Sequence, residues 1–438
     1  MLRFPRAVLG LLVAPMFVGV SCLTDFPSLR EEGEPTDASV DGASDALVES
    51  GGVCEAGGKL CGSTCVPTDD PSFGCVATLC SPCGTNNSVA KCSGGKCAVA
   101  SCTSGFDNCD GLDVTGCEAD LASDSKNCGK CGRDCLGGAC IAGKCSPIVV
   151  AASQFNCFAV AVDATHVYWT NESGTAGLQR LEHSKSGQPP TVLHAPAAPG
   201  DVKLDETHVY WANETAGTVY RLNKQALGSA ELVGLGVRAV GVALDNTHVY
   251  WTSRGTAGQT DGTVSRALKD GSNPQVLATG LDSPRGVSLD ETHAYWTSER
   301  TGAVSRIQKG GGSPQMLAAG KGGGGINGWG IVVISGDVIW RDGAFLRRIP
   351  TAGGTAIDLR TDQPNPRFMS VDGDDLFWVS DAVMTGSASG LPGAPLTPVF
   401  EGSVTNLHGI VADSKYVYYT EWGSSASANG GLYKVARP

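Results

Sequence analysis

From residue 158 to its end the chain repeats one pattern about every 42 residues. The clearest copy is Val202-Lys203-Leu204-Asp205-Glu206-Thr207-His208-Val209-Tyr210-Trp211, and close copies occupy 242–251 and 287–296. An earlier one runs Val162-Asp163-Ala164-Thr165-His166-Val167-Tyr168-Trp169, and degenerate ones end at Trp340, Trp378 and Tyr419. The aromatic positions 169, 211, 251, 296, 340, 378 and 419 are 42, 40, 45, 44, 38 and 41 residues apart. A unit of this length with four short strand signals cannot bury its apolar faces alone and must stack on its neighbours. The pattern predicts an all-β fold: a seven-bladed β-propeller over 147–438, with a six-bladed ring as the alternative.

Each unit divides into four strands. Strand a is of the Gly-Val-x-Leu-Asp type and turns through Asp-x-Thr-His into strand b, Val-Tyr-Trp-Thr. Strand c is Gly-Thr-Val-x-Arg, as at 217–221, 262–266 and 302–306, and strand d is Pro-Gln-Val-Leu, as at 274–277. These runs have the alternating or β-branched character of strands. The seventh unit stops after strand c, at 431–435, while an orphan strand, Ile148-Val149-Val150-Ala151, precedes the first unit. The orphan is expected to serve as outer strand of the last blade, which closes the ring without an unpaired edge.

The remainder has a different composition. Residues 1–22 read as an export signal, with Arg3 and Arg6 before a 14-residue stretch of low polarity at 7–20. Residues 23–53 are acidic, nearly free of aromatics, and predicted to be a disordered tether. Residues 54–146 form a disulfide-rich module carrying 16 of the 18 cysteines. These are Cys54, Cys61, Cys65, Cys75, Cys80, Cys83, Cys92, Cys97, Cys102, Cys109, Cys117, Cys128, Cys131, Cys135, Cys140 and Cys145. Apolar bulk is sparse there, so cross-links must replace a core. Spacing leaves their connectivity open. Zinc at the Cys80/Cys83 and Cys128/Cys131 pairs is the rival reading, disfavoured because thiolates would have to survive in an oxidising compartment. Cys157 is left over and is expected to be a buried thiol.

Composition excludes some functions. The net charge is −12, with no basic block, so nucleic acid is not an expected partner. No apolar run reaches the ~18–20 residues that a spanning helix needs.

Three resemblances add to this reading. Gly19-Val20-Ser21-Cys22 resembles the bacterial lipobox, which implies lipidation of Cys22 and a membrane association through that anchor only. Gly19 departs from the Leu usual three residues before the Cys. Asn127-Cys128-Gly129-Lys130-Cys131-Gly132 and the segment from 102 onward resemble an Asn-Cys-Gly-x-Cys-Gly module common in exported proteins of myxobacteria. The repeat itself resembles the YWTD repeat of low-density-lipoprotein-receptor-type propellers, most strongly over 200–320. The family's final Asp is here Asn213, Ser253 or Ser298, and its usual six blades are seven units here. That resemblance implies a rigid extracellular propeller that binds proteins through its loops. Together they imply an exported lipoprotein of the bacterial cell envelope, in the outer membrane.

The candidate sites lie where the repeat breaks. The a–b turns are nearly identical, whereas the d–a and b–c loops vary and share one face. Function concentrates on such loops. Trp329 and Trp422 are the Trp residues outside the repeat position and are candidate anchors, the alternative being a Trp folded against its own loop. Arg285, Arg367, His408 and Glu421 are further candidates for this binding face. His166, His208, His248 and His293 recur at one repeat position and are read as turn residues, bonding beside Thr, rather than metal ligands. No cofactor is expected. Calcium at Asp107, Asp110, Asp113 and Glu118 is the one candidate, without the spacing of an EF-hand loop. No catalytic motif is present. The expected function is non-catalytic binding of a protein or glycan partner at the cell surface. A propeller lyase or lactonase and a purely structural envelope protein are the alternatives.

Overall fold

Seven sheets repeat one antiparallel order. Six of them take their four strands consecutively from 157–194, 199–235, 239–281, 284–318, 331–360 and 369–398. The seventh combines Leu407–Ala412, Tyr416–Glu421 and Gly430–Ala436 with Ile148–Gln154. This computed structural model describes residues 54, 58–84, 86–172, 177–195, 199–226, 228–321, 329–361, 366–388, 397–400, 406–423 and 429–438. The proposed signal, Cys22 and the tether lie outside them. The described residues belong to one unit, Cys54–Pro438. They contain two single-turn 3-10 segments, Pro71–Phe73 and His183–Lys185, and no α-helix.

We number the sheets as blades 1 to 7 and letter their strands a to d from the inside. The seven a strands touch in succession, and the last touches the first. The ring is therefore the seven-bladed one. Its closure has the predicted form, but the closing strand is longer than the four residues expected, running to Gln154. Leu432 pairs with Ala151, Tyr433 with Val149 and Gly430 with Gln154. The Gln154 carboxamide oxygen accepts bonds from Trp169 Nε1 at 3.1 Å and Asn171 Nδ2 at 2.9 Å, so the closing strand also grips blade 1. Val150, Ala151 and Leu432 pack in one cluster with Trp169.

The Trp of strand b wedges blades together. All six repeat-position Trp residues are fully buried. Each removes ~150–250 Å² from water, roughly 4–6 kcal/mol of transfer free energy at ~25 cal/mol/Å². Trp251 of blade 3 donates from Nε1 to the Leu235 carbonyl of blade 2 at 3.2 Å. A Cβ at Gly234 would lie 2.5 Å from the Trp251 ring, so only glycine fits under that wedge.

The Asp-x-Thr-His turn is a second inter-blade device. Asp205 Oδ1 accepts from the backbone N–H of Thr207 at 2.9 Å and His208 at 2.7 Å, while Thr207 Oγ1 bonds His208 Nδ1 at 2.7 Å. The same Thr–His bond recurs at His166, His248 and His293, so these histidines are turn residues. The Asp then receives a lysine from the next blade: Lys224 to Asp163, Lys269 to Asp205 and Lys309 to Asp245, at 2.9, 3.1 and 3.2 Å. Burial alone would raise the Asp205 carboxyl. The bonds from His208, Thr207, Lys269 and Tyr210 outweigh it and hold the group below its ordinary 3.8.

Ahead of the ring, four short hairpins are tied by eight disulfides. The pairs are 54–65, 61–80, 75–92, 83–97, 102–117, 109–131, 128–140 and 135–145. Each cysteine of the two Cys-x-x-Cys pairs bonds elsewhere, Cys80 to Cys61 and Cys83 to Cys97 for example, which leaves no thiolates for zinc. Cys157 is the free, buried thiol, and burial pushes its pKa up. Tyr416 OH donates to the Leu136 carbonyl at 3.0 Å, which seats the end of this module on blade 7 beside its a–b turn.

Two outcomes follow from these contacts. Val150→Asp places an unpaired charge in the closing strand and is expected to cost about 3 kcal/mol or more. Limited proteolysis should then cut first within 406–436, and cuts spread evenly over all blades would contradict closure by this strand. Asp205→Asn is expected to cost about 1–3 kcal/mol at neutral pH, as bonds to a charged acceptor are lost. Because the folded carboxyl titrates low, its stabilisation is complete above pH 3.8 and is lost as pH falls below that value. Urea titrations from neutral to acid pH should therefore show the variant and the parent converging at low pH.

Candidate functional site

Strand a enters the channel from the face that carries the d–a and b–c loops. Two residues before the position that pairs with the Trp of strand b, the blades present Phe158, Gly200, Val240, Arg285, Trp329, Arg367 and His408. Four of the candidate residues are thus equivalent positions of blades 4, 5, 6 and 7. They share a mouth that is bulky on those blades and blade 1 and small at blades 2 and 3.

In blades 1, 3 and 7 the backbone of this ring is held by the Thr that follows the buried aromatic of strand b. Thr420 Oγ1 of blade 7 accepts from Gly409 N at 2.7 Å and donates to the Phe158 carbonyl of blade 1 at 3.1 Å. Thr170 makes the same link from Ala159 to Gly200, and Thr252 from Gly241 to Arg285. Carbonyls fixed in this way set where the mouth side chains begin.

Those side chains form one aromatic cluster. Trp329 stacks on Phe368 with centroids 5.4 Å apart and meets Phe158 edge-on at 4.9 Å. His408 lies 4.4 Å from the Phe158 ring and 4.6 Å from Trp422. Arg285 sits over Trp329 at 4.8 Å. Trp329 is 5% exposed, so it is folded into the mouth rather than displayed on the loop face. Its preceding loop, 322–328, lies outside the described residues. Trp422 is half-buried at the edge of the cluster. Glu421 bonds Tyr433 on strand c, and burial raises its pKa.

Charges surround this cluster. Arg285 bonds Glu299 at 3.0 Å. Arg254 links Glu299 to Glu214 at 2.5 and 2.6 Å, and Arg238 also reaches Glu214. Arg238, Arg254 and Glu299 line a 260 Å³ cleft together with Gln259, Ser283 and Arg300. Burial, then the neighbouring Glu214, pushes Glu172 up to about 7, and Arg285 opposes the shift. Burial, then Arg367, then Arg285, lowers the His408 imidazole well below 6.5, so it is neutral at pH 7. Arg341, which the repeat analysis did not single out, is 4% exposed. Burial, followed by repulsion from Arg367 and Arg285, lowers it to about 10. Arg341 stands where blades 1, 3 and 7 carry the latch Thr; blades 2 and 6 have Ala212 and Val379 there, and the charge of Arg341 at this position was its signal in the sequence. Phe158 was equally visible as the blade 1 counterpart of Arg285 and His408.

Inward of the mouth lies a 470 Å³ cavity lined by Val160, Val202, Val287, Ile331 and Ile410, with the Lys203–Asp201 ion pair on its wall.

The calcium candidates are not gathered into a ligand set. Asp113 caps Val99 N, Asp110 accepts from Leu112 N and Thr115 Oγ1, and Glu118 accepts from the backbone of Cys109 and Asp110. Asp107 accepts from Asn108 N. Among the described residues, the tight groups of metal-ligating atoms are two sets of disulfide-bonded cysteines.

No protein-family profile matches the chain, and no curated protein matches its sequence. Solved structures do resemble it. A virginiamycin B lyase from Staphylococcus aureus is 15% identical, with a TM-score of 0.53 over 67% of this chain and 99% of that one. A streptogramin B lyase is 12% identical, with a TM-score of 0.54 over 67% of this chain and 97% of that one. The nidogen/laminin complex aligns at 22% identity over 49% of this chain and 86% of the other, with a TM-score of 0.39. The two lyases establish a shared fold, a propeller ring spanning two-thirds of this chain.

Proposed function

We propose that the chain is an exported binding protein of the bacterial cell envelope, anchored through a lipid on Cys22 and spaced from the membrane by the 23–53 tether. Its propeller receives a protein or glycan partner at the loop face and does not alter it chemically. The observation that supports this reading is the placement of the mouth. Arg285, Trp329, Arg367 and His408 meet on the face opposite the a–b turns, where the cysteine module is seated at Tyr416 and Leu136. Binding is favoured over catalysis because His408, the obvious candidate base, is 4% exposed and enclosed by Phe158, Phe368 and Trp422. The lyase alternative has one observation in its favour, Glu172 on the same face with a pKa pushed up to about 7.

The test applies the full chain to immobilised envelope glycans and peptides. We expect saturable binding that weakens at least tenfold in Trp422→Ala, recovery of the partner with unchanged mass, and release of Cys22→Ser from membranes. Binding unaffected by Trp422→Ala, or a partner recovered with altered mass, would contradict the proposal.

A further inference from the structure

We infer that the central channel is a binding site for a small, uncharged, largely apolar molecule carrying an oxygen acceptor, which receives the Trp329 indole N–H. The inference goes beyond the partner-binding reading above and does not depend on it.

The channel has the make-up of a small-molecule site. Its 470 Å³ cavity is walled by apolar strand-a residues, among them Val160, Val202, Val287, Ile331 and Ile410. Ligand pockets of about 300–1,000 Å³ combine such walls with a few placed polar groups. Four polar side chains of this wall are already committed. Lys203 bonds Asp201 at 2.7 Å, so the two charges answer each other. Ser288 and Ser370 accept from the Val333 and Ala412 N–H groups at 3.2 and 3.3 Å, which pins blade 4 to blade 5 and blade 6 to blade 7. With the ion pair closed on itself, the wall favours an uncharged occupant, since a charge brought there would lose its hydration without a partner.

Trp329 is the exception. It lines the same cavity at the mouth end, is 5% exposed, and its Nε1 has no hydrogen-bond partner among the described residues. Phe158 and Phe368 offer its ring only carbon, and Arg285 over its face is a donor. His408 Nδ1 is unpartnered as well, but His408 is not on the cavity wall. Other buried indoles of this chain are satisfied. Trp169 donates to Gln154 Oε1 at 3.1 Å, Trp251 to the Leu235 carbonyl at 3.2 Å and Trp340 to the Gly302 carbonyl at 3.1 Å. Trp211 Nε1 also lacks a partner, but its ring is packed between blades 1 and 2 against His194 and Tyr220. A buried donor left open loses its bonds to water with no return. An indole N–H can only donate, so what completes Trp329 is an acceptor.

The two ends of the channel differ. The loop-face end is plugged by Phe158, Trp329, Phe368 and His408, each 4–8% exposed. The turn-face end is collared by Val162, Leu204, Leu244, Leu289 and Val371, each immediately before its a–b turn and each half-buried. An apolar molecule therefore enters from the turn face, crosses this collar and brings its oxygen up to Trp329.

The experiment titrates the full chain with acetophenone and with ethylbenzene, which share a ring and differ in the carbonyl oxygen. It reads thermal melting and the indole N–H resonance of Trp329, assigned with Trp329→Phe. We expect acetophenone to raise the melting temperature and to move that resonance saturably. Trp329→Phe keeps the aromatic ring and removes the N–H, so it should weaken acetophenone about fivefold or more and leave ethylbenzene within about twofold. Leu289→Arg places a charge on the half-buried collar and should weaken both probes. A resonance that acetophenone leaves unmoved overturns the inference, as does a Trp329→Phe variant that binds acetophenone as the parent does or loses both probes equally. Should Trp329→Phe not fold, the melting shift of the parent with acetophenone and its loss in Leu289→Arg decide, and the absence of either overturns the inference. Partner capture in the array experiment while neither probe binds would leave the binding reading intact and defeat only this inference.

Discussion

The pairing of Ile148–Gln154 with Gly430–Ala436 carries the mechanical continuity of the ring. In a propeller each blade packs only on its neighbours, so the stability of one is lent to the next across their shared surface. Six of the seven junctions join segments adjacent in the chain, whereas blade 7 is assembled from both ends of the repeat. The Gln154 side chain extends this link by accepting bonds from Trp169 and Asn171 of blade 1. Without that strand, the final blade has an open outer edge and blade 1 loses a partner of its Trp.

A closed ring allows the loop face to be irregular. The Trp wedges, the Asp–Lys ladder and the Thr latches sit at repeat positions and hold the blades on the turn face and in the middle layer. With packing secured there, the positions two residues before the Trp partner are free to differ. They hold glycine and valine in blades 2 and 3, and Arg285, Trp329, Arg367 and His408 in blades 4 to 7. The mouth is consequently lopsided, with its cations and aromatics on one side and, on the other, Gly200, where a Cβ would lie 2.7 Å from the Val240 carbonyl oxygen.

Much of this was readable in the sequence because a repeat makes its own exceptions visible. Blade number followed from the Tyr-Trp spacing, and closure from a missing strand at one end and a surplus one at the other. The turn role of His208 and its equivalents followed from the adjacent Thr and Asp. Trp329 stood out as a Trp outside the repeat position, and Arg285, Arg367 and His408 as groups able to converge on the loop face, although linear spacing did not reveal that the four share one register position. Phe158 and Arg341 escaped notice for the same reason, since each is conspicuous only once the strands are aligned. Glu421 shows the opposite error. It adjoins Trp422, but alternation along the strand turns its side chain to Tyr433. The burial of Trp329 was beyond reach, because it depends on rings contributed by blades 1 and 6. The disulfide pairs were equally hidden, as proximity among sixteen cysteines is set by the fold of the hairpins and not by their spacing.

The central claim is that one continuous ring, closed by its N-terminal strand, supports the mouth. Hydrogen exchange of the native full chain tests it most directly. Backbone amides of 148–154 should exchange as slowly as those of 430–436, with both segments released only in the global opening that also frees the inner strands. Exchange of 148–154 at an independent, faster rate while 430–436 stays protected would contradict it.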